Sequence, residues 1–115
     1  MLVFAIPAAQ VHAWREDVID DLYRVEPYLH GRMDAEDLLL LCEHDRMLLW
    51  IVTDDDDNYI ASIVTQVSEY PKARVITFVA CAGKNMRTWL HAASVIIRDY
   101  AKKKGCTIWE IWARP

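Results

Sequence analysis

Apolar side chains recur at three- and four-residue steps over residues 11–25 and again over 86–101, while residues 47–81 run as apolar, β-branched stretches broken by turns. A chain that changes period from helix to strand and back again must pack helices against a sheet. In the first periodic stretch Val11, Trp14, Val18, Leu22 and Val25 share one side, and Arg15, Glu16, Asp17, Asp20 and Asp21 occupy most of the other. Pro7 suits the first turn of that helix, and Glu26-Pro27 ends it. Asp34, with Asp37 three residues on, predicts the cap of a second, shorter helix that turns Leu38, Leu41 and Cys42 inward. In the last periodic stretch Met86, Trp89, Leu90, Ala93, Ile96, Ile97, Tyr100 and Ala101 form one broad stripe. Lys102–Lys104 stand in its final turn and Gly105 follows as the C-cap.

The intervening strands are Met47–Thr53, Tyr59–Glu69 and Ala73–Cys81, separated by Asp54–Asn58 and by Tyr70-Pro71-Lys72; these short turns predict an antiparallel meander. A short apolar strand precedes Pro7, and Cys106–Trp112 is a final one. The order β-α-α-β-β-β-α-β predicts a single α/β domain over residues 1–115, with one mixed sheet of about five strands and helices on both faces. Right-handedness of the last crossover makes the final strand parallel to the third meander strand.

Composition narrows the classes of function. A formal charge of −4 does not suit a nucleic-acid binder, whose partner is polyanionic. No run approaches the ~18 apolar residues of a membrane span, and the N-terminus lacks a basic leader, so neither membrane insertion nor secretion is expected. Cys42, Cys81 and Cys106 are odd in number and far apart, as in a reducing compartment. Metal binding is not expected. The run Asp54–Asp57 lacks the alternate ligand spacing of a calcium loop, and His12, His30, His44 and His91 have no ligand spacing with each other or with a cysteine. Cys81 reads as a structural thiol and His91 as a surface histidine. Glu110 and Glu69 are the candidate general bases.

The element order resembles the GNAT acetyltransferase superfamily. In that family the strand, helix and strand corresponding to Ala73–Cys81, Asn85–Lys104 and Cys106–Trp112 hold acetyl-coenzyme A. The resemblance implies a phosphate-binding segment at Ala82, Gly83, Lys84 and Asn85, at the start of the helix. A narrower resemblance is to small phage-encoded GNAT-like proteins of virion gene clusters. It rests on Trp89, on Ala101-Lys102-Lys103-Lys104-Gly105-Cys106, on Glu110 and on Ala113-Arg114. Two departures accompany it. Ala80–Met86 holds one glycine where the family's phosphate loop has several, and the family's last helix and strand pair are not found after Pro115.

From these departures the expectation is a non-catalytic protein with no cofactor, working through protein contacts in virion structure or assembly, in the host cytoplasm or the virion. The alternatives are an acetyl-coenzyme A-dependent N-acetyltransferase with a reduced phosphate loop, and an acidic inhibitor of a host protein. The contact surface is expected on the last strand, at Trp109, Ile111, Trp112 and Arg114, where apolar residues on both faces call for cover by a second copy or a partner protein.

Overall fold

Strands with apolar residues on both faces need cover on both sides, and the chain supplies it from helices before and after the meander. A computed structural model describes residues 1–112. Its meander is β2 (Leu48–Thr53), β3 (Tyr59–Tyr70) and β4 (Ala73–Gly83), all antiparallel. β1 (Leu2–Ile6) adds to β2 antiparallel, and β5 (Ile108–Ile111) adds to β4 parallel, giving the order β1-β2-β3-β4-β5. α3 (Met86–Lys103) is the crossover that the parallel pair requires. α1 (Arg15–Val25) and α2 (Ala35–Glu43) cover the other face.

Alternation along β2 divides the core. Leu49 and Ile51 join Val18, Leu22, Leu38 and Cys42 beneath α1 and α2. Trp50 and Val52 join Trp89, Ala93, Ile97 and Ala101 beneath α3. The predicted mixed five-strand sheet with helices on both faces is therefore the observed fold.

Three local expectations are corrected. The first helix is not one α-helix from Pro7: residues Ala8–Trp14 form a 3-10 segment, and Glu26–Tyr28 forms another after α1. The stripe of α3 is narrower than the sequence predicts. Its buried residues repeat every four positions, and Leu90 and Ile96 stay 43% and 40% exposed. Asp21, assigned to the polar side of α1, is only 8% exposed.

The cap of α2 forms as its spacing predicts. Asp37 N–H donates to Asp34 Oδ1 at 2.8 Å, and Asp34 N–H donates to Asp37 Oδ2 at 3.1 Å. Asp34→Ala should therefore cost about 1 kcal/mol in a urea unfolding titration, and Asp34→Ser should restore most of it. Equal stability of all three proteins would mean that the box adds nothing to α2.

Candidate functional site

The parallel pair carries an opening, because β4 and β5 part company halfway along. Their register runs from Val75↔Ile108 to Phe78↔Ile111, and the Trp112 N–H donates to the Phe78 carbonyl at 3.0 Å. β4 then continues to Gly83. At the parting, the β3–β4 register shifts so that Val64 faces Ala80 and Thr65 faces Phe78, leaving Val79 as a bulged residue. A bulge bends its strand, and here it bends β4 where pairing with β5 stops. A cleft of about 630 Å³ opens at this point. It passes through the sheet: Val25, Tyr28 and Trp112 border it among the α1 core, and Phe78, Cys81 and Met86 border it on the α3 side.

The N-terminus of α3 follows directly from β4. Gly83 has φ +143°, and a Cβ there would lie 2.5 Å from the Cα and Cβ of Ala61 and from the Ile60 carbonyl oxygen. The glycine is thus required by its contact with β3. The Lys84 N–H donates to the same Ile60 carbonyl at 3.0 Å. Asn85 takes the left-handed conformation, φ 56°, and its side chain does not cap the helix. The positive end of the α3 dipole and the exposed cations of Lys84 and Arg87 make this end electropositive, although the Thr88 N–H is already engaged, donating to the Asn85 carbonyl at 2.9 Å. The Trp89 indole N–H, donating to the Lys84 carbonyl at 2.7 Å, ties the loop to the core.

Of the sequence candidates, Ala82 and Gly83 end β4, and Lys84 and Asn85 join it to α3, as one continuous segment. Glu69 lies elsewhere. It forms an ion pair with Arg74, at the opposite end of β4 from the cleft, so its position does not suit a base acting there. Glu110 is exposed on β5, and its neighbours Trp109 and Ile111 line the cleft while it does not. Trp109 has the Arg98 guanidinium 4.8 Å from its ring centroid. Trp112 is half-buried, with the His30 ring edge-on at 5.4 Å and the Arg32 guanidinium at 5.4 Å. Arg114 lies outside the described residues.

Sequence reasoning missed His91, Ser94 and Arg98, three residues of α3 that line the cleft. Their spacing, at steps of three and four, places them on one side of the helix, but nothing in the sequence says which side faces β5. Among the described residues no Asp or Glu lines the cleft, and no cluster of three or more His, Cys, Asp or Glu could hold a metal ion.

No protein-family model matches the chain, and no curated protein matches it in sequence. Solved structures do match its backbone. A probable acetyltransferase superposes with a TM-score of 0.73 at 9% identity, covering 99% of this chain and 80% of its own. A GNAT family acetyltransferase of Staphylococcus aureus superposes at 0.68 and 10% identity, covering 99% of this chain and 87% of its own. The chain has the GNAT acetyltransferase fold. An acetyltransferase of Vibrio fischeri is matched over 98% of its own length, with a TM-score of 0.66 at 13% identity.

The residues at the GNAT-fold cleft can be tested against acetyl-coenzyme A. The walls at Phe78, Met86, Leu90 and Trp109 suit the aliphatic stretches of the neutral arm that ends in the thioester, and the start of α3 with Lys84 and Arg87 suits a pyrophosphate. The loop contributes less than the several glycines of the family would, because Gly83 and the Lys84 amide are both engaged with β3. The residues fit the group, with a reduced phosphate cradle.

Proposed function

We propose that the chain is an acyl-coenzyme A-dependent N-acyltransferase working from the β4–β5 cleft. The observation that carries this reading is the cleft itself, opened by the Val79 bulge beside the N-terminus of an 18-residue helix. Structural neighbours described as acetyltransferases support it. Coenzyme A supplies the acyl group as a thioester. The acceptor amine forms a bond to the thioester carbonyl carbon as the carbon–sulfur bond breaks; the amine loses a proton and the departing sulfur gains one. Lys84, Arg87 and the first turn of α3 would hold the phosphates, and the apolar walls would shield the thioester from water. With no carboxylate among the described lining residues, His91 is assigned as the acceptor of the amine proton.

Isothermal titration of the purified protein with coenzyme A and acetyl-coenzyme A tests the reading. Micromolar binding is expected, weakened about ten-fold or more in Lys84→Glu/Arg87→Glu, in proportion to the charge removed from the helix start. Absence of heat, and of any rise in Tm, at millimolar coenzyme A would overturn it.

A second reading, a contact role without catalysis, has one observation in its favour. β5 is a sheet edge with all four residues exposed, Ile111 at 70%. The occupant it suits is a second copy, adding β5 to β5 across a two-fold axis. A role in a virion, as in the phage proteins that the α3 end resembles, is the form this reading takes. Light scattering decides: a dimer split by Ile111→Glu supports it, and a monomer at high micromolar concentration removes it.

A further inference from the structure

The cleft differs in chemistry between its two ends. On the α3 side it carries His91, Ser94 and Arg98, polar side chains that suit the amides of the neutral arm between the phosphates and the thioester. Where it emerges toward α1 its lining is Val25, Tyr28, Val79, Ala80 and Trp112. Three of these are aliphatic and almost fully buried, at 4%, 2% and 5% exposure for Val25, Val79 and Ala80. Glu26, between Val25 and Tyr28, is half-buried and does not line the cleft; its Oε1 accepts from the Ala35 N–H at 2.7 Å, and the buried carboxylate of α1 is Asp21, one turn before Val25. It accepts from Tyr59 Oη at 2.6 Å and from Arg24 Nη1 at 3.0 Å, so it is already engaged. A charged ammonium group entering this end would lose its water without gaining a counter-charge. His30 and Arg32 stand against the Trp112 ring and do not line the cleft.

We infer that the α1 end of the cleft takes an apolar acyl chain several carbons longer than acetyl. The inference rests on the acyl-coenzyme A reading above and names its substrate class. A chain joined to the thioester continues the arm through the gap between β4 and β5, and arrives among Val25, Val79 and Ala80 without any charged group to bury.

The test is a chain-length series on the unaltered protein: coenzyme A, then its acetyl, butyryl, hexanoyl and octanoyl thioesters, read by tryptophan emission and by calorimetry. Affinity should rise about two-fold or more per added methylene, so that octanoyl-coenzyme A binds on the order of fifty-fold tighter than acetyl-coenzyme A. Ala80→Leu, which fills the α1 end, should cut that ratio to about five-fold or less. If Ala80→Leu does not fold, Val25→Ala enlarges the same end and should raise the best-bound chain length by at least two carbons. A series flat in chain length, with coenzyme A still bound, overturns the inference alone. So does a fifty-fold gain that neither variant changes, since the chain would then lie on the exposed surface of Trp109 and Ile111. Octylamine competing for the apolar end while the thioester series stays flat assigns that end to the acceptor, and also overturns it. Failure of coenzyme A itself to bind removes the reading underneath.

Discussion

Gly83→Ala should destabilise the protein by about 3–5 kcal/mol, because two independent penalties meet at one Cβ. The backbone there has φ +143°, a region that side-chain-bearing residues rarely occupy. The new methyl would also sit 2.5 Å from Ala61 and from the Ile60 carbonyl oxygen, and neither is the movable tip of a long side chain. Relief requires β3 and β4 to separate just before α3, where the Lys84 N–H holds the two together. In urea the midpoint should fall sharply with little change in slope. Asn85→Gly, two residues on at φ 56°, should change stability by less than about 1 kcal/mol, since that position meets only the mild left-handed penalty that asparagine tolerates. A Gly83→Ala protein within 1 kcal/mol of the original would mean that the loop rearranges cheaply. Loss of acyl transfer in a Gly83 variant would report a disrupted sheet, whereas Lys84→Glu/Arg87→Glu changes charge on two exposed side chains.

The architecture was largely legible from period and turns. Trp89, Ala93, Ile97 and Ala101 announce α3 by their four-residue repeat, and Tyr70-Pro71-Lys72 marks the β3–β4 hairpin. What pattern cannot carry is the rotation of each element about its own axis once neighbours are in place. Leu90 is as apolar as Ile97, yet Ile97 belongs to the buried cluster that includes Ile76 and Trp50 while Leu90 lines the cleft. The strand-to-helix junction at Ala82–Asn85 could be placed because a glycine between a strand and a helix is a local signal. The cleft could not, since its walls come from residues 25–28, 78–81, 86–98 and 109–112, and their convergence depends on a bulge at Val79 that no local residue type advertises. Glu69 illustrates the converse. A carboxylate at the end of a strand looked available, but the hairpin brings Arg74 opposite it and carries both away from the opening.

Asp21 is the clearest case of a residue whose environment reverses its sequence reading, and it yields the second large effect. Helical period put it with Asp17 and Asp20 on a solvated face, yet the side chain of Tyr59, the first residue of β3, reaches it. Tyr59 Oη donates to Asp21 Oδ2 at 2.6 Å and lies 3.2 Å from Ser62 Oγ, and Ser62 is fully buried. Burial first, and then the Asp21 carboxylate, push the Tyr59 hydroxyl far above its ordinary value of 10. Tyr59→Phe leaves a buried carboxylate with Arg24 as its remaining hydrogen-bond donor, which should cost about 2–3 kcal/mol at pH 7, the range for losing a hydrogen bond to a charged group. The pH dependence separates this from a simple packing loss. Up to about pH 9 the phenol is protonated in both folded and unfolded chains, and its contribution is complete. Above that, the unfolded chain ionises first and binds fewer protons than the folded one, so stability falls as pH rises. Tyr59→Phe should abolish that part of the fall, so the two stability curves converge between about pH 10 and 11.5. Tyr23 and Tyr100, also raised, and Cys42, pushed up to about 12 by burial, leave a residual slope common to both proteins. Urea titrations at half-unit steps from pH 7 decide the matter. Curves that stay parallel through pH 11.5, or a loss below 1 kcal/mol at neutrality, would show that the Asp21 carboxylate does not depend on the tyrosine hydroxyl.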